Sequence, residues 1–216
     1  MTPKYRLVFF DVDSTLVTIE GIDVLGDDTR VADLTRAAMN GEMPLDHVYA
    51  RRLEMIRPSR DAVEDLALRY QRSLVPGAVE AIAALRAAGV QIHLVSAGIA
   101  QAIVPLAATL GIPERAVHAV VLAFNDDGTY RDFDRRSFLT RTGGKETVVR
   151  DVRARTHGKA AFVGDGISDL EAKPAVDLFI GYGGVVIRQR VRDNASVYVT
   201  ANDLMAVIPY ILDGSP

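Results

Sequence analysis

The sequence predicts an α/β protein with a doubly wound, Rossmann-like and mostly parallel sheet that carries a small inserted helical cap domain. Short apolar segments alternate with amphipathic helical segments, and this alternation is typical of βαβ units. A block with helical periodicity and no strand follows the first apolar segment. With 216 residues, the chain has room for one core and one such insertion.

The N-terminal third is predicted to hold one strand followed only by helices. Tyr5–Phe10 is rich in aromatic and β-branched residues, which predicts a buried strand. Apolar residues then recur at helical spacing and predict three helices: Asp27–Met39, Leu45–Ile56 and Arg60–Tyr70. Because Val75-Pro76-Gly77 ends this block, we assign residues 14–75 to the cap and residues 1–13 and 76–216 to the core.

Strands and helices alternate in the rest of the chain. The predicted strands are Val90–Val95, Ala116–Phe124, Lys159–Val163, Leu178–Ile180 and Val197–Val199. The predicted helices are Ala78–Ala88, Ala100–Leu110, Gly144–Arg155 and Ala201–Leu212. Gly89 and Gly111 each follow one of these helices, as glycine does at a helix C-terminus.

Composition excludes several classes of protein. The chain has no cysteine, so it cannot hold a disulfide framework, a zinc–cysteine site, an iron–sulfur cluster or a thiol nucleophile. Its 25 basic and 28 acidic residues give a net charge of −3, which argues against a nucleic acid as partner. No targeting signal and no apolar run of spanning length is visible, so we expect a cytoplasmic protein without a membrane partner.

Four polar motifs stand at predicted strand or helix ends, on the side where open α/β sheets bind ligands. They are Asp11-Val12-Asp13-Ser14-Thr15, Ser96-Ala97-Gly98, Lys145 after Gly143-Gly144, and Gly164-Asp165-Gly166-Ile167-Ser168-Asp169. The four histidines (His47, His93, His118 and His157) match no ligand spacing, and we interpret the Arg188–Arg192 cluster as a solvated helix face. We therefore expect a single site built from the four motifs.

The residue types in these motifs suit phosphoryl transfer. Converging carboxylates repel one another unless a cation neutralises them, and oxygen ligands without His or Cys suit Mg²⁺. A carboxylate can attack phosphorus and form an acyl phosphate, while a second carboxyl protonates the leaving oxygen and then activates water. Ser96 and Lys145 supply a donor and a positive charge for the phosphoryl group. The spacing of Asp165 and Asp169 predicts a shared face, with one carboxylate toward the metal and one toward Lys145.

These motifs resemble those of the haloacid dehalogenase superfamily of phosphatases, and in particular its phosphoserine phosphatase branch. The resemblance extends over about Val8 to Leu212. It is carried by the following segments: Asp11–Leu16, Glu20–Asp23, Gly164–Glu171, Phe179–Gly184 and Val186–Gln189. The resemblance implies a Mg²⁺-dependent phosphomonoester hydrolase that acts through an aspartyl-phosphate on a small phosphorylated metabolite, O-phospho-L-serine.

The resemblance also implies roles for the residues at matching positions. Asp11 corresponds to the nucleophile and Asp13 to the general acid and base; Asp11, Asp165 and the backbone carbonyl of Asp13 would hold Mg²⁺. The phosphate would be bound by Ser96, Ala97, Gly98 and Lys145, with Asp169 and Ser168 in orienting roles. Glu20 and Arg52 would bind the amino and carboxylate groups of serine, with Met39 as an apolar lining residue.

Four positions depart from the family pattern and leave the substrate open. Ala97 replaces a usual glycine, Leu45 a frequent aromatic residue, Asn40 a small residue and Ser168 a common threonine. One alternative is therefore a phosphatase for another small phosphate ester, or an enzyme that transfers the phosphoryl group to an acceptor alcohol. A protein that binds a phosphorylated ligand without turnover is the alternative from another class, although the intact Asp11, Asp13, Lys145 and Asp165 favour an enzyme.

Overall fold

A six-stranded parallel sheet forms the centre of the molecule in a computed structural model, which describes residues 3–26 and 29–212. The strands follow the order β3-β2-β1-β6-β7-β8 across the sheet, and each adjacent pair is parallel. They are β1 (Leu7–Phe10), β2 (Gln91–Ile99), β3 (Val117–Val120), β6 (Ala160–Gly164), β7 (Leu178–Tyr182) and β8 (Val197–Val199). The predicted doubly wound, mostly parallel sheet is confirmed.

The central strands are apolar because helices cover both faces of the sheet. All four residues of β1 and all five of β6 are buried. Phe9 on β1 stacks on Phe162 of β6 at a centroid distance of 6.2 Å, and Phe162 stacks on Phe179 of β7 at 6.1 Å. This aromatic row fixes the three strands beside one another, and their carboxyl ends open at one edge.

Six α-helices of the described residues lie between Ala78 and Leu212. They are α5 (Ala78–Ala87), α6 (Ala100–Thr109), α7 (Gly144–Arg153), α8 (Ile167–Leu170), α9 (Gln189–Asn194) and α10 (Ile208–Leu212). Gly89 and Gly111 have φ angles of 76° and 68°, the left-handed conformation that glycine adopts after a helix. Within the described ranges, no helix has the length and apolarity needed to cross a membrane.

Among the described residues between β1 and α5 are four further helices, which we call the insertion helices. They are α1 (Gly21–Gly26), α2 (Thr29–Met39), α3 (Leu45–Ile56) and α4 (Arg60–Arg72). A bridge between Val17 and Leu74 joins the two segments that connect them to the core. Helix α3 has the predicted bounds, α1 was not predicted, and the predicted helix start at Asp27 lies outside the described residues. The division into residues 1–13, 14–75 and 76–216 stays a prediction.

The predicted single strand Ala116–Phe124 is wrong, because the chain leaves the main sheet after Val120. β4 (Leu122–Phe124) pairs in antiparallel fashion with β5 (Tyr130–Phe133) in a separate hairpin. The Gln101 side chain binds both backbone groups of Leu122, donating to its carbonyl oxygen (2.6 Å) and accepting from its N–H (3.1 Å). These two hydrogen bonds occupy the backbone groups of Leu122 that a continuous strand would use to pair with its neighbour.

The predicted closing helix Ala201–Leu212 starts too early. The chain forms a 3₁₀ turn over Leu204–Val207 and becomes α-helical only at Ile208. The Asp203 carboxylate accepts a hydrogen bond from the N–H of Met205 (2.8 Å), and the N–H of Leu204 binds the carbonyl oxygen of Pro76 (2.8 Å). These two contacts fix the start of the helical segment at Asp203.

Candidate active site

The polar motifs meet at the carboxyl ends of three neighbouring strands. Asp11 follows β1, Ser96 lies in the last part of β2, which extends beyond its predicted end, and Asp165 follows β6. One cavity there is lined by most of the predicted residues: Asp11, Asp13, Glu20, Met39, Arg52, Ser96, Ala97, Gly98, Lys145 and Ser168. Asp165 and Asp169 are buried and contact the groups around this cavity. The order of the strands thus brings together residues that are up to 158 positions apart.

Lys145 joins two of the aspartates in a buried chain of charges. Its Nζ lies 2.8 Å from Asp11 Oδ1 and 2.5 Å from Asp169 Oδ1, and Asp169 Oδ2 accepts a hydrogen bond from the N–H of Gly166 (2.8 Å). Burial acts to lower the pKa of Lys145, but the charges of Asp11 and Asp169 outweigh it, so the pKa is raised. Lys145 therefore stays protonated and holds Asp11 in place.

Asp13 has different neighbours, which come from the insertion helices. Its Oδ1 accepts hydrogen bonds from the N–H of Gly21 (2.8 Å) and from the hydroxyl of Tyr70 (2.7 Å). Burial and the charge of Asp11 raise the pKa of Asp13 to about 7, although the two hydrogen bonds lower it. A carboxyl that can hold a proton near neutral pH suits general acid catalysis.

Tyr70 was not identified from the sequence. It is the last of the apolar residues that recur at helical spacing along α4, and its side chain is fully buried, as that of a core residue would be. Gly21 is required beside it, because a Cβ at position 21 would overlap the Tyr70 hydroxyl. The neighbouring Glu20-Gly21 motif was the only sequence signal for this contact.

The segment Ser96-Ala97-Gly98 turns its polar groups toward Asp13 and the cavity. Ser96 is buried, and its Oγ accepts a hydrogen bond from the N–H of Gly98 (2.9 Å). A Cβ at Gly98 would lie 2.9 Å from Asp13 Oδ2, so this close approach requires glycine. Ala97 is half-buried, and its carbonyl oxygen accepts a hydrogen bond from the hydroxyl of Tyr49 on α3 (3.0 Å).

Two buried polar atoms that belong to cavity-lining residues have no protein partner among the described residues. They are Nε of Arg52 and Oγ of Ser168. Buried polar groups are normally satisfied, so these two indicate a place for a polar ligand. Met39 lines the same cavity.

Glu20 also lines the cavity. Its Oε1 accepts a hydrogen bond from Ser14 Oγ (2.7 Å) and lies 3.5 Å from Arg188 Nη2. Burial raises the pKa of Glu20 well above its usual value, and the charges of Asp13 and Asp165 act in the same direction. A cationic group in the cavity would relieve this repulsion.

The interpretation of Arg188 as part of a solvated helix face is wrong. The residue precedes α9 in an extended conformation and is only 7% exposed. Its Nε lies 2.8 Å from Asp165 Oδ2, and its Nη1 donates to Asn40 Oδ1 (3.3 Å). The sequence signal for this residue was its place after β7, whose carboxyl end opens at the same edge as that of β6.

The carboxylates form a set that fits a hard divalent cation. Oxygen atoms of Asp11, Asp165 and Asp169 all lie within 4.8 Å of one another. In the described part of the chain, carboxyl groups outnumber cationic side chains around the cavity: Asp11, Asp13, Glu20, Asp165 and Asp169 against Arg52, Lys145 and Arg188. An all-oxygen donor set of this charge matches the preference of Mg²⁺.

Comparison with known proteins identifies the family. A model of the haloacid dehalogenase-like hydrolases matches residues 8–172. The chain belongs to this family. It is 41% identical over 198 residues to phosphoserine phosphatase of Mus musculus, which covers 89% of this chain and 88% of the mouse protein. The human phosphoserine phosphatase is 40% identical over the same length, with the same shares of the two chains covered.

Solved structures support the fold of this family member. A substrate-bound phosphoserine phosphatase complex has a TM-score of 0.85 and 23% sequence identity, covering 96% of this chain and 99% of that chain. A phospho-aspartyl intermediate analogue of phosphoserine phosphatase also has a TM-score of 0.85, with 24% identity and the same coverage. At this identity, the similarity concerns the haloacid dehalogenase-like fold.

Proposed function

We propose that the protein is a Mg²⁺-dependent phosphomonoesterase that converts O-phospho-L-serine to L-serine and phosphate through a phosphorylated Asp11. One observation carries the proposal: Asp11 beside Lys145, Asp13 with a raised pKa, and the Glu20 and Arg52 side chains all line one cavity. The identity of about 40% to phosphoserine phosphatases over most of the chain supports the same substrate.

In the first step, a carboxylate oxygen of Asp11 attacks phosphorus and the ester bond to the serine oxygen breaks. Ser96 and Lys145 bind the phosphoryl oxygens, together with the backbone N–H groups of Ala97 and Gly98. The proton on Asp13 passes to the leaving serine oxygen. Asp11, Asp165 and the carbonyl oxygen of Asp13 would hold Mg²⁺, which would supply positive charge to offset the repulsion between the phosphoryl group and the carboxylates.

In the second step, water hydrolyses the aspartyl-phosphate. Asp13, now ionised, accepts a proton from the water molecule. The water oxygen attacks phosphorus, and the bond between phosphorus and the Asp11 oxygen breaks. Phosphate leaves, and both carboxyl groups return to their starting states. Lys145 and Asp169 keep Asp11 in position throughout both steps.

The cavity residues beyond the phosphate suit the serine part of the substrate. Glu20 pairs with the ammonium group, and the guanidinium group of Arg52 binds the carboxylate. Met39 packs against the methylene carbon of the serine part. The hydroxyl group of Ser168, which has no partner among the described residues, donates a hydrogen bond to the substrate. We further propose that residues 14–75 act as a cap that opens for the substrate and closes to exclude water.

Phosphate release from a panel of esters tests this proposal. The panel contains L- and D-phosphoserine, phosphothreonine, phosphoethanolamine and sugar phosphates, assayed with Mg²⁺ and with EDTA, and Asp11→Asn is the inactive control. We expect L-phosphoserine to be hydrolysed fastest, with one serine formed per phosphate and no activity in EDTA. A different leading ester would overturn the substrate, and transfer to an added alcohol would overturn hydrolysis. Metal binding without any turnover would overturn the enzyme assignment.

A further inference from the structure

Two side chains behind Arg52 form a hydrogen-bonded relay that links three insertion helices. Nη1 of Arg52 on α3 donates to Oγ1 of Thr35 on α2 (3.1 Å), and this hydroxyl donates to Oδ1 of Asp23 on α1 (2.5 Å). Thr35 is 2% exposed and Arg52 is 3% exposed. The relay therefore runs from half-buried Asp23 through buried Thr35 to the guanidinium group that faces the cavity.

The order of groups in the relay keeps part of the guanidinium group available. If Asp23 paired directly with Arg52, its carboxylate would compete with a ligand carboxylate for the same N–H donors. The hydroxyl of Thr35 separates the two charges, and Nε of Arg52 is left without a protein partner. The charge of Asp23 still attracts Arg52 from a distance and offsets part of the cost of its burial.

Arg52 is held from a second side by Tyr49. The guanidinium carbon lies 5.6 Å from the centre of the Tyr49 ring, and the Tyr49 hydroxyl donates to the carbonyl oxygen of Ala97. The relay and the aromatic ring thus confine a long side chain that would otherwise have many rotamers. Binding is tighter when such a group is already ordered in the free protein.

We propose that Thr35 and Asp23 are positioning residues that orient Arg52 for the carboxylate group of the substrate. This inference rests on the proposed function, because it assigns the carboxylate to Arg52. Neither side chain is among the residues that line the cavity, so both act only through Arg52. Their effect is therefore confined to substrates that carry a carboxylate.

Paired kinetics with two substrates test the proposal. L-Phosphoserine has the carboxylate, and phosphoethanolamine has the same phosphate and ammonium groups without it. We expect Thr35→Val to lower kcat/KM for L-phosphoserine by about tenfold, mainly through KM, the effect of losing a hydrogen bond to a charged group. We expect the value for phosphoethanolamine to stay within about twofold, because Arg52 has no carboxylate to bind there.

Two further variants keep the test decisive. Thr35→Ser retains the hydroxyl and should restore selectivity for L-phosphoserine, and Asp23→Asn should reduce it in the same direction as Thr35→Val. If Thr35→Val does not fold, Asp23→Asn provides the same comparison between the two substrates. An equal loss on both substrates, or no loss on either, would overturn the positioning role.

Arg52→Ala separates this inference from the proposed function. A selective loss on L-phosphoserine in Arg52→Ala, without a selective loss in Thr35→Val and Asp23→Asn, overturns the relay alone. An equal change on both substrates in Arg52→Ala overturns the assignment of the carboxylate to Arg52, and with it the proposed reading of the serine group. Selective losses in all three variants support both.

Discussion

Asp11 and Asp13 are two residues apart in the sequence but lie in different electrostatic surroundings. Asp11 is next to the ammonium group of Lys145, whereas Asp13 accepts hydrogen bonds from two neutral donors, the N–H of Gly21 and the hydroxyl of Tyr70. The charge of Asp11 adds to burial and raises the pKa of Asp13. Two carboxyl groups in one turn can therefore serve as nucleophile and as acid, because one is paired with an ammonium group and the other can hold a proton.

Replacing Asp13 by asparagine should remove the general acid and base while keeping the shape of the side chain. We expect kcat for L-phosphoserine to fall by about 10²–10⁴, the usual contribution of general acid–base catalysis, with a small change in KM. Steady-state kinetics measure this, and Asp126→Asn on the exposed β4–β5 turn is the matched control. A kcat within tenfold of the wild type would contradict the role of Asp13.

At the residue scale, strand ends predict Asp11, Ser96 and Asp165, and the family resemblance supplies Glu20, Met39 and Arg52, but neither signal identifies Tyr70 or Arg188. Asp11, Ser96 and Asp165 stand next to strands whose apolar character is plain, so their convergence could be expected. Tyr70 and Arg188 reach the site through the packing of α4 and through the extended backbone before α9. The apolar period of α4 marks Tyr70 as a core residue but does not indicate its contact with Asp13, and the extended segment before α9 has no period.

The insertion helices contact the core at several separate points along the edge of the sheet. Tyr49 on α3 binds Ala97, and the N–H of Thr142, before α7, binds the carboxylate of Asp46 at 2.7 Å. Arg190 on α9 donates to two carbonyl oxygens in the turn that directly follows α2, those of Asn40 (3.2 Å) and Gly41 (2.9 Å). These contacts hold the helices over the cavity.

Arg190→Gln should loosen the end of α2. The carbonyl groups at a helix C-terminus lack partners within the helix, and here Arg190 provides one from the core. We expect faster amide hydrogen exchange in a peptide covering residues 36–43, with no change in β1. Arg192→Gln, at an exposed position of the same helix, should exchange as the wild type does; equal exchange in both variants would rule out this contact in solution.

The His93–His118 pair lies between strands β2 and β3 and makes the stability of the fold depend on pH. Nδ1 of His93 lies 3.0 Å from Nε2 of His118, so at least one ring must be neutral. Burial and the charge of His118 lower the pKa of His93 to about 4. Below about pH 6.5 the unfolded chain binds a proton at this position and the folded chain does not. Lowering the pH from about 6.5 to about 4 therefore lowers the free energy of unfolding.

His93→Gln should therefore reduce the acid sensitivity of the fold. Urea unfolding at pH 7 and pH 5 measures it: the wild type should lose more stability between these values than the variant. His47→Gln, changed at an exposed site on α3, controls for the loss of an imidazole. The same pH-dependent loss in His93→Gln and the wild type would mean that the pair is not coupled to folding.

At the element scale, periodicity located most helices, and tertiary contacts explain the errors. Helix α3 has an apolar period that fixes its length, and its bounds were predicted. The strand Ala116–Phe124 was predicted from continuous apolar residues, but Gln101 captures the backbone of Leu122 and divides it. Helix α1 has six residues with glycine at both ends, too short for a period to be seen.

In the whole molecule, the strand order places β1 beside both β2 and β6, so three motifs distant in sequence share one edge. Alternation of strands and helices predicts a parallel sheet but does not fix the order of its strands. Charge is also distributed unevenly: the chain has a net charge of only −3, yet five carboxylates surround the described cavity. This local excess is what a divalent cation would balance.

Mg²⁺ should stabilise the folded chain, because only the folded state brings the carboxylates together. At 100 times the dissociation constant, binding adds about 2.7 kcal/mol, which raises the melting temperature of a protein this size by roughly 5–10 °C. Thermal unfolding of the wild type and of Asp165→Asn measures this, with added NaCl matching the ionic strength. A similar rise in Asp165→Asn would place the cation elsewhere.

The central claim is that Asp11 carries the phosphoryl group during turnover, and trapping that group tests it most directly. Enzyme is mixed with L-phosphoserine labelled with ³²P, quenched in acid within milliseconds, and digested at low pH before peptide analysis. We predict label on a peptide that contains Asp11, none in Asp11→Asn, and loss of the label as phosphate is released. Release of labelled phosphate by the wild type without any labelled protein would contradict the account.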